Sequence, residues 1–186
     1  MKLLIASDIH GSAYYCRLLL DALSRERADR LFLLGDLLYH GPRNELPRDY
    51  APKEVIAMLN PLRERIFCVR GNCDTEVDQM VLSFPVLSDY AVIPLPLGER
   101  VIYATHGHKF NPDNPPPLSK GDILLNGHTH LPADEDKGNF RYLNPGSVSI
   151  PKNGTPHGYM TLSDGVFLWK RLENGEQYNP NGENLL

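Results

Sequence analysis

The chain of 186 residues has no long apolar run, no cysteine framework and no surplus of basic residues. A membrane-spanning helix needs about 20 consecutive apolar residues, and every apolar stretch here is cut short by polar or turn residues. The amino terminus carries one Lys and a brief apolar run that meets Asp8 and His10 at once. That is the pattern of a strand, not of a signal peptide, so a cytoplasmic protein without membrane association is expected. Three cysteines are an odd number for a chain of this size, which argues against a disulfide scaffold. A formal net charge of -4 leaves no basic excess to neutralise many phosphates, so general nucleic-acid binding is excluded. A small anionic ligand whose charge is met locally remains compatible.

What is present is an ordinary globular composition, 41% apolar and 23% charged. The length predicts one domain over residues 1–172 with a substantial core, followed by a polar, frayed tail over 173–186. Residues 2–7 read as a strand and 12–27 as an amphipathic helix, with Ser12 near its N-cap and Cys16, Leu19, Leu20 and Leu23 at helical spacing. A strand at 31–34 follows, then a loop from 37 to 50. Next come a helix from Pro52 that Pro61 ends or kinks, and a strand at 66–70. Beyond this the periodicity changes. Residues 90–95 and 100–105 look like a hairpin joined by Leu97-Gly98-Glu99, and further strands fall at 122–125, 141–143, 158–162 and 166–170. A βαβαβ first half and a strand-rich second half predict an α/β protein of mixed sheets packed together with helices outside.

Five short polar clusters each sit just after an apolar run: Asp8-Ile9-His10, Gly35-Asp36, Gly71-Asn72-Cys73-Asp74, His106-Gly107-His108 and Gly127-His128-Thr129-His130. Binding residues of α/β sheets gather beyond the carboxyl ends of strands, so the shared placement matters as much as the residue types. Alone, Asp8-x-His10 is a common turn pair, Gly35-Asp36 a common strand ending and Asn72 an ordinary turn residue. Gly127-His128-Thr129-His130 is the most specific single piece. Five clusters in one register point to one site. His108 is expected beside that site and not as a ligand, and His40 and His157 are expected on loops.

The candidate ligands are Asp8, His10, Asp36, Asn72, His106, His128 and His130. Asp8 and His10 are two apart, as are His128 and His130, so on an extended chain each pair points to one side. An oxygen and nitrogen set without thiolate suits Mn, Zn, Fe or Ni. Seven ligands are too many for one tetrahedral ion and natural for two, with Asp36 as the bridge. Two divalent ions less two carboxylates and a hydroxide leave the site about one positive charge, which attracts a phosphate oxygen. Such ions lower the pKa of bound water from about 15.7 toward about 7. Hydrolysis of a small phosphate ester is the chemistry this set fits.

Taken in order, Asp8-x-His10, Gly35-Asp36, Gly71-Asn72-x-Asp74, His106 and Gly127-His128-x-His130 resemble the calcineurin-like metallophosphoesterase superfamily over about residues 1–150. His106-Gly107-His108 and Asn144-Pro145-Gly146-Ser147 resemble more narrowly its small single-domain bacterial and archaeal phosphodiesterases. The resemblance implies a four-layer αββα sandwich with two mixed β-sheets flanked by helices, manganese as the most suggested cofactor, and phosphodiester hydrolysis. It also implies one ion held by Asp8, His10, Asp36 and His130 and another by Asp36, Asn72, His106 and His128. One position departs from the family pattern: where many members carry a histidine after the asparagine, this chain carries Cys73. A thiol of ordinary pKa near 8.5 donates a proton but is not cationic at neutral pH. Weak assistance to poor leaving groups follows, and a preference for aryl esters.

A phosphomonoesterase or nucleotide phosphatase on the same site is the first alternative. The second is a non-catalytic scaffold like the retromer subunit of similar fold, against which the seven competent ligand positions stand. The loop at 38–51 either covers the site or forms a subunit contact, and the sequence leaves a homo-oligomer, dimer or tetramer, open.

Overall fold

A computed structural model describes residues 1–95 and 100–182, arranged as two β-sheets packed face to face with helices on the outside of the first. The first strand, β1 (Leu3–Ala6), is apolar at every position because both of its faces are covered. Leu4 and Ala6 turn toward the helices, while Leu3 and Ile5 turn into the sandwich. The same alternation splits β2 (Arg30–Leu33), with Leu31 and Leu33 under the helices and Phe32 inside. Helix α1 (Ala13–Arg25) crosses from β1 to β2. Its cap Ser12 accepts from Tyr15 N at 3.2 Å, and Cys16, Leu19 and Leu23 are buried on its inner face. Helix α2 (Pro52–Leu59) begins on the predicted Pro52. At Pro61 the chain tightens into a 3-10 segment, Asn60–Arg65, since proline supplies no N–H to continue the helix.

The remaining elements are β3 (Ile66–Cys68), α3 (Glu76–Val81), β4 (Ala91–Pro94), β5 (Val101–Ala104), β6 (Asp122–Leu125), β7 (Pro132–Asp136), β8 (Phe140–Pro145), β9 (Gly158–Ser163), β10 (Val166–Arg171) and β11 (Gln177–Tyr178). One sheet has the order β11-β10-β9-β1-β2-β3 and the other β4-β5-β6-β8-β7. Both are mixed. In the first, β1, β2 and β3 run parallel and β9 antiparallel to β1. In the second, β5, β6 and β8 are parallel and β4 and β7 antiparallel edges. Ile5, Phe32, Ile102, Leu125, Leu143 and Trp169 meet between the sheets, and the Trp169 indole donates to Asn144 O at 2.7 Å. On the outer face of the second sheet Leu118 packs with Leu124, Phe140 and Tyr142. The expected sandwich with two mixed sheets is therefore the observed one. Among the described residues no helix is long and apolar enough to cross a membrane.

Three elements escape the sequence reading. Strand β7 reads Pro-Ala-Asp-Glu-Asp, too acidic for a strand pattern, yet it is an edge whose Asp134 takes a bidentate contact from Arg141 at 2.7 and 2.7 Å. Helix α3 buries none of its residues and forms on a Thr75/Asp78 capping box. From Glu173 the tail was expected to fray, but Gln177–Tyr178 pairs with Trp169 and Lys170. The hairpin pairs as expected, Ala91 opposite Ala104, while its Leu97-Gly98-Glu99 connection lies outside the described residues.

Candidate metal centre

The parallel strands of both sheets deliver their carboxyl ends to one edge of the sandwich, and all five clusters lie there. Asp8 and His10 leave β1 on a turn laid against the Gly35–Leu37 turn after β2: Asp8 N donates to Gly35 O at 3.1 Å and His10 N to Asp36 O at 2.9 Å. Asp8, His10, Asp36, His128 and His130 all have positive φ, between 48° and 65°. The two-residue spacing thus brings these pairs together through left-handed turns and not, as the spacing suggests, through extended chain. Non-glycine residues rarely hold this conformation, and it recurs where surrounding contacts force a functional geometry.

Three imidazoles are fixed in one tautomer by the same device. His10 Nδ1 donates to Tyr39 O at 2.7 Å, His106 Nδ1 to Leu34 O at 2.6 Å and His130 Nδ1 to Ile150 O at 2.7 Å. Each Nε2 is left facing inward as a lone pair, the arrangement that suits metal ligation. His10 Nε2 and His130 Nε2 face each other at 3.2 Å, and Asp8 Oδ1 lies 3.2 Å from His130 Nε2 and 3.5 Å from His10 Nε2. Asp36 Oδ2 stands between the halves, 3.4 Å from His106 Nε2 and 3.7 Å from His10 Nε2. Asn72 Oδ1 meets His106 Nε2 at 3.1 Å. Opposed lone pairs at such distances repel unless positive charge sits between them, which a metal ion or a proton supplies.

The electrostatics agree. Burial opposes ionisation of Asp8, but the His10 and His130 imidazoles outweigh it and hold the carboxyl well below its usual range. Asp36 is likewise lowered against its burial, by His106. Burial depresses His106, yet Asp36 and Asp8 raise it to about 9. Burial and the neighbouring His106 lower His128 to about 4, leaving it a neutral imidazole. Two buried carboxylates among inward-facing nitrogens are a donor set fit for divalent cations. Asp8, His10 and His130 bring ligand atoms within 4.8 Å of one another, as do Asp8, Asp36 and His106, and His10, Asp36 and Cys73. His128 joins none of these groups: its ring lies 5.0 Å from that of His106, and its amide N donates to Asp8 Oδ2 at 3.1 Å.

The supporting residues were the less legible part. Asp74, expected to orient Cys73 or a neighbour, is buried and accepts from the amides of Asp36, Leu37 and Gly71 at 2.8, 2.9 and 2.7 Å. Burial pushes its carboxyl up to about 6, against those donors. Ser147 and Ser149 hydroxyls both donate to Asp8 O, at 3.0 and 2.9 Å, and Asn144 Nδ2 donates to Gly127 O at 2.8 Å. A Cβ on Gly71 would overlap the Asp36 carboxylate, and one on Gly127 would overlap Ser7 Oγ. The motif glycines are there for close approach. His108 stands beside the centre, 5.5 Å from the His106 ring. His157 lies on a loop as expected, just before β9, and is half-buried there: it stacks on Tyr15 at 4.1 Å and bonds Val148 O at 2.9 Å, a packing role its sequence context did not signal.

Cys73 lies partly buried at the rim, with its N–H on Asp36 Oδ1 at 2.8 Å. Burial and the Asp36 carboxylate push its thiol upward, so it is neutral. A pocket of about 440 Å³ opens over the centre, walled by Gly41, Pro42, Arg43 and Asn44 on one side and Thr129 and Lys152 on the other.

Comparison with known proteins places this geometry among relatives. The profile of the calcineurin-like phosphoesterase superfamily domain matches residues 1–164. The chain is 47% identical over 166 residues to the phosphodiesterase YfcE of Escherichia coli strain K12, covering 89% of each. The solved structure of YfcE, described as a phosphoesterase from E. coli, superposes with a TM-score of 0.91 at 44% identity, covering 96% of this chain and 97% of that one. The Vps29 of Entamoeba histolytica solved with zinc matches with a TM-score of 0.60 at 22% identity over 96% of both chains, a likeness of fold alone.

Proposed function

The chain belongs to the calcineurin-like phosphoesterase superfamily and is a hydrolytic phosphoesterase, and on that footing we propose that it is a phosphodiesterase working through two divalent ions. The observation that carries this reading is the convergence of three tautomer-locked Nε2 atoms on the buried carboxylates of Asp8 and Asp36. One ion is assigned to Asp8, His10, Asp36 and His130, and the other to Asp36, Asn72, His106 and His128. Asp36 is the bridge, which its place between His10 and His106 supports. Manganese is the metal we favour, with zinc, iron or nickel as alternatives; bound there, such ions would lower the pKa of water toward about 7 and offset the charge of the phosphoryl oxygens.

The chain's own residues do the rest. The Tyr39, Leu34 and Ile150 carbonyls take the Nδ1 proton of each imidazole and aim its Nε2 inward, so the proton that Asp36 and Asp8 favour on His106 is the one a bound ion would displace. Asn72 and the neutral Cys73 thiol face the pocket where the ester group leaves. A thiol that donates weakly favours leaving groups that need little protonation, hence aryl esters over alkyl monoesters. Chelator-stripped protein is expected to hydrolyse bis(4-nitrophenyl) phosphate only when Mn²⁺ is returned, and 4-nitrophenyl phosphate more slowly. Strong preference for the monoester would make it a phosphatase. Hydrolysis of neither, with ions bound, would favour a scaffold.

A further inference from the structure

The pocket over the metal centre carries two cations that the ester reaction does not use. Arg43 and Lys152 line it from opposite loops, and the carboxylate among its lining residues is Asp36, already committed to the centre. Among the described residues neither cation forms an ion pair. Other cations of the chain also lack an ion pair; what sets these two apart is that both line the pocket over Asp36, His128 and His130.

The backbone of both loops is tied to the candidate metal ligands. The loop bearing Arg43 is the one whose Tyr39 O fixes His10, and it closes through Asn44 N on Gly41 O at 3.2 Å and Asn44 Nδ2 on His40 O at 2.8 Å. Lys152 follows two residues after Ile150, whose carbonyl fixes His130, and its own N–H donates to His130 O at 3.3 Å. Charge bookkeeping shows what they are for. Two divalent ions with two carboxylates and a hydroxide keep about one positive charge, which a diester's single negative charge already cancels. Two more cations lining a cavity of about 440 Å³ leave room and charge for another anion.

We propose that Arg43 and Lys152 form an anion subsite beside the metal centre, and that the substrate is a phosphodiester one of whose alcohols carries a second anionic group, a phosphate or a carboxylate. This rests on the phosphodiesterase reading and specifies its substrate class.

The test is calorimetric binding to the Mn²⁺-loaded protein of three methylphosphinates that carry carbon in place of both ester oxygens and so cannot be hydrolysed, with a phenyl, a 3-carboxyphenyl or a 3-phosphonophenyl group on phosphorus. One or both anionic ligands should bind about tenfold tighter than the phenyl ligand, as expected for a charge-assisted contact. The arm with the larger gain tells carboxylate from phosphate. The ratio should fall toward 1 in Arg43→Met/Lys152→Met and recover in part in Arg43→Lys/Lys152→Arg. A ratio near 1 in the unaltered chain, or one the double variant leaves unchanged, overturns the subsite, as does an equal loss on all three ligands. Turnover of 4-nitrophenyl phenyl phosphate is followed separately. Absent turnover with the binding preference intact overturns the phosphodiesterase reading and keeps the subsite; turnover without preference does the reverse.

Discussion

At the scale of single residues, the centre depends on side chains that never reach the reacting phosphate. Asp74 holds the amides of Asp36, Leu37 and Gly71 with one carboxylate, so it sets the turn from which Asp36 points. Asn in its place keeps the size but offers one acceptor oxygen and turns an NH₂ toward amides that need an acceptor. Asp74→Asn is expected to weaken Mn²⁺ affinity by about 10- to 100-fold, the usual cost of losing a partner behind the ligands. Isothermal titration of Mn²⁺ checks it, and unaltered affinity would contradict this role. The residue types of the centre were legible because Asp, His and Asn recur after apolar runs. What holds them was legible only in part: Asn144-Pro145-Gly146-Ser147 stood out as a motif, but Ser147 and Ser149 reach Asp8 from 139 and 141 positions away, and the sequence does not give either serine that task.

At the scale of elements, legibility follows how far local chemistry agrees with the tertiary outcome. Strands β1 and β2 and helices α1 and α2 were readable because their apolar runs, the Ser12 cap and the two prolines all favour the state they adopt. Strand β7 was not, since Asp134, Glu135 and Asp136 discourage a strand until β8 supplies both the ladder and Arg141. Strand β11 exists only because Trp169 and Lys170 leave an edge for it. The ligand turns show the converse limit. A two-residue spacing suggested extended chain, yet five candidate ligand positions have positive φ, and sequence spacing carries no sign of φ. The loop over 38–51, left between two roles, is seen to wall the pocket through Gly41, Pro42, Arg43 and Asn44.

For the whole molecule, the first sheet and its helical layer are tied by a buried ionic cluster remote from the metal centre. Glu26 at the end of α1 takes Lys2 at 2.6 Å, Lys170 at 2.7 Å and the Tyr159 hydroxyl at 2.9 Å. Burial alone would raise this carboxyl, but the Lys170, Lys2 and Tyr159 hydrogen bonds outweigh it and hold it at about 2. A folded value below the ordinary 4.5 means the cluster stabilises fully above that pH and is lost as pH falls toward about 2. Urea midpoints should therefore be insensitive to this group near neutrality and decline through that window. Glu26→Gln should be less stable at pH 7 and show a shallower acid decline; an equally steep one would refute the assignment.

The account stands on a centre for two ions bridged by Asp36, so the most direct measurement is the stoichiometry of Mn²⁺ bound to chelator-stripped protein, set beside Asp36→Asn. Two ions per chain, with at least one lost in the variant, is the predicted result. A single ion in the unaltered chain, or two retained by Asp36→Asn, would contradict it.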